Sequence, residues 1–185
     1  MKHSWLIGGE AGFGIMTTGL VFSKIASRRG YEIFEKLEYP SLIRGGHNSY
    51  EVAFSTEEVY DVKPTIDCLV CLNRDSFDLH KDRLTKESLV IYDYHDFIPE
   101  GEMINIMVPF YKILEGLKGE SVMKNTITMG ASLAILGGDL TELNDILQEQ
   151  FAKKGQEVVD FNKKFAEEGF NHVKKNYAQQ VKRGV

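Results

Sequence analysis

Two glycine-rich clusters near the start of the chain hold the residue types best suited to binding a phosphate or a carboxylate. The first glycine cluster, residues 8–14, follows a short apolar run and opens a segment with helical spacing of apolar residues. A strand, a glycine turn and a helix start bring free backbone N–H groups and the positive end of the helix dipole together. The candidate binding residues here are Gly9, Gly12 and Gly14.

The spacing of these glycines differs from the dinucleotide fingerprint G-x-G-x-x-G, because they occupy relative positions one, four and six. A nicotinamide-binding domain also needs an acidic residue at the end of the second strand. Glu35 and Glu38 lie near that place, so a dinucleotide site stays open as an alternative. A further alternative is that the glycines only permit a tight turn and close packing of helix on sheet.

The second glycine cluster, residues 44–48, lies in a segment without a clear period, and long loops in compact domains are often functional. A guanidinium can hold a phosphate or a carboxylate with two parallel hydrogen bonds, and paired glycines allow close approach of the backbone. The opposing interpretation is a solvated surface arginine. The candidate binding residues of this cluster are Arg44, Gly45, Gly46 and His47.

Other candidates are weaker. Cys68 and Cys71 have C-x-x-C spacing, but residues three apart in a strand point to opposite faces, which favours two buried strand cysteines. His80 is interpreted as a packed residue on a helix face, and His95 follows a strand without a defensible metal-site pattern. The sequence therefore predicts neither a catalytic residue nor a metal site.

Length and composition set the class of protein. The 185 residues, 43% hydrophobic and 26% charged, suit a soluble globular domain with its own core. A net charge of -5 argues against general nucleic-acid binding, which needs a basic face. No apolar stretch approaches the roughly 18 residues of a membrane span, and the first residues do not resemble a signal peptide. We expect a cytoplasmic protein without nucleic-acid or membrane partners.

The elements that position these clusters predict an α/β fold with three layers and a mostly parallel sheet. Residues 49–55 alternate cleanly and, with a return strand at 59–62, predict a β-hairpin inserted into the α/β alternation. Asp75 is expected to cap a short helix. The last third is helical. We expect one domain over residues 1–178 and a polar tail at 179–185.

The two clusters together make the sequence recognisable. Residues 8–15 followed by Glu38-Tyr39-Pro40-Ser41-Leu42-Ile43-Arg44-Gly45-Gly46-His47-Asn48 resemble the gamma-type domain of the 2-oxoacid:ferredoxin oxidoreductases. The sequence is most similar to the form at the N-terminus of the fused alpha subunit of 2-oxoglutarate-type enzymes. The resemblance is sharp from Trp5 to Ser55 and continues as an order of elements to about Tyr177. Phe13 departs from the family, which often has a polar residue there.

The resemblance implies oxidative decarboxylation of a 2-oxoacid, such as pyruvate or 2-oxoglutarate, with coenzyme A to acyl-CoA, CO2 and reduced ferredoxin. Thiamine diphosphate and iron–sulfur clusters would belong to partner subunits, and no cofactor would be bound by this chain alone. The implied partners are alpha- and beta-type catalytic subunits and a ferredoxin-like iron–sulfur subunit or ferredoxin. Gly9, Gly12 and Gly14 would shape the loop at the helix start. The second cluster, Arg44, Gly45, Gly46 and His47, would lie at the subunit interface or near a coenzyme phosphate.

Two other functions remain open from the sequence. One is a stand-alone nucleotide- or flavin-binding oxidoreductase of the Rossmann or flavodoxin kind, which the glycine spacing disfavours. The other is an assembly module whose clusters only pack against a partner. The isolated chain is expected to be inactive in each interpretation that makes it a subunit.

Overall fold

A computed structural model describes residues 1–39 and 46–180 of the chain. The chain divides into two compact units, Met1–Met107 and Val108–Val185. The single domain expected over residues 1–178 stays a prediction, and so does the tail, whose residues 181–185 lie outside the described residues.

The first unit is a mixed six-stranded sheet with two helices. The strands are β1 (His3–Glu10), β2 (Glu32–Glu38), β3 (His47–Ser55), β4 (Cys68–Cys71), β5 (Leu89–Tyr92) and β6 (Ile104–Met107). The helices are α1 (Ile15–Arg28) and α2 (Arg74–His80), the latter followed by the 3-10 turn Lys81–Arg83. The sheet order is β2-β3-β1-β4-β5-β6. The predicted α/β class is confirmed.

Strand directions change in the middle of the sheet. β1, β4, β5 and β6 are parallel to one another, whereas β3 lies antiparallel between β1 and β2. The predicted hairpin of residues 49–55 with 59–62 is wrong, because residues 59–62 form no strand. Both edges of β3 are already hydrogen-bonded, so a return strand has no place to pair, and Tyr60 is instead 76% exposed.

The two helices cover opposite faces of this sheet. Trp5 of β1 stacks on Phe22 of α1, with ring centroids 4.2 Å apart. The next residue, Leu6, packs in a cluster with Phe77 of α2. Successive residues of a strand point to opposite faces, so α1 and α2 lie on different sides. The three-layer arrangement is confirmed in this unit. We name the two sides the α1 face and the α2 face.

The second unit is helical, as expected for the last third of the chain. Its helices are α3 (Phe110–Leu117), α4 (Lys124–Ile135), α5 (Leu140–Phe151) and α6 (Gln156–Asn176), with 3-10 turns at Ser121–Met123 and Ala152–Lys154. α4 and α6 meet backbone to backbone, since a Cβ on Gly130 would collide with the carbonyl group of Ala166. The buried Thr126 hydroxyl donates to Asn162 Oδ1 across the same contact at 2.9 Å.

Candidate functional site

β1 leads directly into the first glycine cluster and the start of α1. The strand ends at Glu10, and the turn that follows reaches Gly14, the N-cap residue of α1. Gly12 and Gly14 have φ angles of 101° and 72°, in the left-handed region where L side chains are strained. Within the described residues, no side chain caps α1, and its first turn has no acidic residue. The first backbone N–H groups of α1 therefore meet no competing carboxylate from their own helix.

The strand part of the same cluster is packed too closely to accept side chains. A Cβ on Gly9 would lie 3.0 Å from Cδ1 of Ile15 and 3.1 Å from Cβ of Leu72. A Cβ on Gly8 would lie 2.8 Å from Cε1 of His47, closer than real Cβ contacts occur. The absent side chain of Gly8 thus makes room for the imidazole ring of His47.

The two glycine clusters lie side by side. The backbone N–H of Ala11, in the first cluster, donates to the carbonyl oxygen of Gly46 at 2.9 Å. Glu10 pairs with His47, and Gly9 with Asn48, in the antiparallel ladder between β1 and β3. Residues separated by more than thirty positions are therefore neighbours at one end of the sheet.

His47 forms a hydrogen bond with a second histidine. Its Nε2 lies 3.2 Å from Nε2 of His80, the last residue of α2. His80 is only 6% exposed, and burial, together with the neighbouring His47 and Arg83, lowers the pKa of His80 to about 4. Burial also lowers the pKa of His47, against the opposing pull of Asp75. Both imidazoles are therefore neutral at pH 7.

Farther along the α2 face, a buried carboxylate anchors the 3-10 turn after α2. Glu51 of β3, 2% exposed, accepts two hydrogen bonds from the Arg83 guanidinium at 2.6 and 2.8 Å and one from the Ser4 hydroxyl at 2.6 Å. Arg83 also donates to the carbonyl groups of Lys63 and Pro64. Such a bidentate pair with further hydrogen bonds holds its partners in one geometry.

An open cleft of about 900 Å³ lies over these groups. Its cations have carboxylate partners within the chain, since Lys36 pairs with Glu38 at 2.8 Å and Lys63 with Asp67 at 2.8 Å. The cleft is lined by residues of β2, β3, α2 and the segment before β4: Lys36, Glu38, Tyr39, His47, Asp61, Val62, Lys63, Pro64, Leu79, His80 and Arg83. Paired charges beside apolar side chains give the cleft a mixed character.

The family profile described as Pyruvate ferredoxin/flavodoxin oxidoreductase matches residues 4–172 of the chain. The chain belongs to this family. The predicted membership is confirmed.

Two relatives match this chain over most of its length and over most of their own. The 2-oxoglutarate synthase subunit KorC of Methanocaldococcus jannaschii is 26% identical, over 91% of this chain and 88% of that protein. A keto/oxoacid ferredoxin oxidoreductase gamma subunit from Geobacter sulfurreducens PCA has the same fold, with a TM-score of 0.76 at 19% identity, over 92% of this chain and 97% of that one. These matches extend over most of both chains and give no support to a stand-alone Rossmann oxidoreductase.

Longer relatives match over part of their length. The 2-oxoglutarate:ferredoxin oxidoreductase from Magnetococcus marinus, solved with 2-oxoglutarate, coenzyme A and succinyl-CoA bound, superimposes with a TM-score of 0.87 at 26% identity. That match covers 94% of this chain and 31% of the other. The 2-oxoacid:ferredoxin oxidoreductase subunit alpha of a Sulfolobus species is 35% identical over 80 residues, which is 43% of this chain. This chain spans only 13% of that subunit.

The structure unites five of the seven site residues predicted from the sequence of this family member. Gly9 lies near the end of β1, Gly12 and Gly14 lie in the turn before α1, and Gly46 directly precedes His47, the first residue of β3. Arg44 and Gly45 lie outside the described residues. The binding roles of all seven stay predictions.

Sequence reasoning missed three side chains of this end of the sheet. His80 is a packed residue, as expected, but its contact with His47 was not foreseen, nor was the pairing of Glu51 with Arg83. The partners are 33 and 32 positions apart, and their meeting depends on how α2 lies across β3. The alternation of β3 was the available signal, because it sets Glu51 and His47 on the same face.

No group of three or more His, Cys, Asp or Glu side chains within residues 1–39 and 46–180 has the arrangement of a metal site. None of the helices in those ranges combines the length and apolar character that a bilayer crossing requires.

Proposed function

We propose that the chain acts as the gamma-type component of a 2-oxoacid:ferredoxin oxidoreductase, which converts a 2-oxoacid and coenzyme A to acyl-CoA and CO2 with reduction of ferredoxin. Its partners are alpha- and beta-type catalytic subunits and a ferredoxin-like iron–sulfur protein. The observation that carries the proposal is the family match over residues 4–172 together with near-complete coverage of gamma-type relatives.

The chain's own contribution is assembly and the shaping of a coenzyme A approach. The N-terminus of α1, reached through two glycines with positive φ, supplies backbone N–H groups suited to a phosphate. Gly46 and His47, the described glycine and histidine of the second cluster, lie at the same end of the sheet. Thiamine diphosphate supplies the electron sink in the partner subunits, and this chain takes no catalytic step of its own.

A pure assembly role is the second candidate, and one observation favours it. Two polar groups of the clusters are used within the chain: the Ala11 N–H by Gly46, and His47 Nε2 by His80. If Arg44 also serves a protein carboxylate, both clusters are packing surfaces and no coenzyme contact remains.

Co-expression of the tagged full chain with alpha- and beta-type subunits tests the function. We expect a stoichiometric complex that reduces ferredoxin with 2-oxoacid and coenzyme A, while the purified chain alone is inactive with pyruvate, 2-oxoglutarate and branched 2-oxoacids. A chain that elutes alone under conditions where the catalytic subunits assemble with each other would overturn the proposal.

Substitution of Arg44 in that complex separates the two roles. Arg44→Lys keeps the charge and loses the two-pronged hydrogen bond, whereas Arg44→Ala loses both. A raised KM for coenzyme A with intact assembly supports the coenzyme role, and weakened assembly alone supports the packing role. Arg28→Ala, an exposed arginine in the last turn of α1, is the matched control. Wild-type behaviour of Arg44→Ala in both measurements refutes both roles.

A further inference from the structure

The atoms around the histidine pair on the α2 face determine which of the two rings donates the hydrogen bond. One ring nitrogen must donate and the other accept across the 3.2 Å between the two Nε2 atoms. Nδ1 of His47 is buried and has no hydrogen-bond partner among the described residues. If His47 accepted at Nε2, its neutral ring would carry its only proton on Nδ1, and that buried N–H donor would be unpaired.

The other tautomer of His47, protonated on Nε2, has the lower energetic cost. With the proton on Nε2, His47 donates to His80, and its buried Nδ1 is an unused acceptor rather than an unpaired donor. Buried N–H groups without partners are the rarer and more expensive case, while under-used acceptors are tolerated more often. His47 is thus the donor of the pair and His80 the acceptor.

Because of where the two histidines lie, this hydrogen bond connects two elements of the fold. His47 is the first residue of β3 and directly follows Gly46, whose carbonyl group holds the turn of the first cluster. Its ring occupies the space left by the absent side chain of Gly8. His80 ends α2, so the bond ties the start of β3 to that helix.

We propose that His80 is a positioning residue, whose Nε2 accepts the Nε2–H of His47 and so holds the start of β3 against α2. His47 then has a structural role: its Nε2 donates a hydrogen bond to His80, and its Nδ1 is buried. Its effect on catalysis rests on the proposed function, whereas the hydrogen bond itself does not. Coenzyme contact at this end of the sheet falls to other groups of the clusters.

The tautomers are measured directly on the full chain by 15N NMR of the imidazole nitrogens. We expect a proton on Nε2 of His47 and an unprotonated Nε2 on His80 at pH 7. A His47 protonated at Nδ1 would overturn the proposal. Because this measurement needs no partner subunit, it distinguishes failure of the positioning role from failure of the proposed function.

Two substitutions of His80 measure the consequence in the assembled enzyme. In His80→Gln the amide oxygen can still accept from His47, whereas His80→Leu fills the space without an acceptor. We expect His80→Leu to raise the KM for coenzyme A or the subunit dissociation constant roughly three- to tenfold with little change in kcat, and His80→Gln to recover most of the loss. His95→Gln, at an exposed histidine of the same unit, is the control.

A double substitution completes the test. If His80 acts only through His47, adding His80→Leu to His47→Ala causes little further loss, because the two residues form one interaction. Independent, additive losses would contradict the proposal, as would equal losses in His80→Gln and His80→Leu. Should His80→Leu fail to fold, the tautomer measurement and His80→Gln still decide.

Discussion

The two faces of the same strands are built from different chemistry. On the α1 face, Phe54 of β3 meets Phe22 and Tyr31 edge to face, with ring centroids 5.7 and 5.5 Å away, and Trp5 completes the aromatic group. On the α2 face, Glu51, three residues before Phe54 in the same strand, is buried with a guanidinium partner. The two faces of β3 therefore carry an aromatic group and a buried ion pair.

This difference indicates a division of labour within the first unit. Aromatic packing stabilises through area removed from water and tolerates no charge. Buried ion pairs contribute less net stability, because desolvation offsets their attraction, but they hold groups in defined positions. We infer that on β3 the aromatic side chains of the α1 face mainly stabilise the fold, whereas Glu51 and His47 on the α2 face mainly set local geometry. The α2 face of β1 is itself apolar, since Leu6 packs there with Phe77.

The largest expected effect is on the α1 face. Trp5 is fully buried and stacked on Phe22, so Trp5→Ala removes a large apolar contact and leaves a cavity. We expect a loss of about 3–5 kcal/mol in the free energy of unfolding, measured on the full chain by urea denaturation. Activity per assembled complex should change little. A loss below about 1 kcal/mol would contradict the division between the faces.

A smaller loss is expected on the α2 face. Glu51→Gln keeps the shape of the side chain but replaces a charge-assisted bidentate pair with neutral hydrogen bonds. We expect a stability loss of about 2 kcal/mol, together with weaker assembly or a higher KM for coenzyme A. Asp78→Asn, which breaks the exposed pair with Arg74, is the control and should leave both properties near wild type. An effect on stability alone would make Glu51 purely structural.

The pH dependence sharpens the comparison further, because His47 and His80 lie on the α2 face. The pKa of His80 is lowered to about 4 by burial, by His47 and by Arg83, with Glu38 and Glu51 opposing. The unfolded chain therefore binds protons below about pH 6.5 that the folded chain does not. We expect stability to fall as pH decreases from about 6.5 to 4.

The matched variant for this measurement is His80→Gln, which removes one of the two titrating groups. Its stability should fall less steeply over the same pH range in thermal unfolding of the full chain. Equal slopes in the wild type and His80→Gln would show that the pair does not titrate as described.

The smallest expected effect concerns the turn of the first cluster. A Cβ on Gly12 meets no atom within 4 Å, so Gly12→Ala tests backbone strain at a φ of 101° without any clash. We expect a loss of about 1 kcal/mol. Gly116→Ala, also without a nearby atom but inside α3, should be neutral or slightly stabilising. Equal changes in stability for the two variants would show that the turn accepts a side chain at Gly12 without strain.

Much of this fold follows from the sequence, because local patterns determine it. The strand–glycine–helix order of the first cluster and the alternation of β3 were visible, and so was the buried strand containing Cys68 and Cys71. The pairing of the strands does not follow from local patterns. The sequence predicts a return strand at residues 59–62, but both edges of β3 are paired with β1 and β2. Similarly, the cap of α2 is Asn73, two residues before the predicted Asp75.

The site was harder to predict than the fold for the same physical reason. The hydrogen bond from the Ala11 N–H to the Gly46 carbonyl brings the first cluster beside Gly46, a contact that no local pattern in the sequence predicted. The partners of Glu51 and His47 come from α2 and the turn after it, more than thirty positions away. Such pairs depend on helix placement over the sheet, for which no local pattern exists.

The most direct test of the central claim, that this chain is the gamma-type component of the enzyme, is turnover of the catalytic subunits with and without it. Purified alpha- and beta-type subunits would be assayed for 2-oxoacid- and coenzyme A-dependent reduction of ferredoxin, and the full chain would then be titrated in. The account predicts that activity rises to a plateau at one chain per catalytic unit. Full activity without the chain, or no response to its addition at saturating coenzyme A, would contradict it.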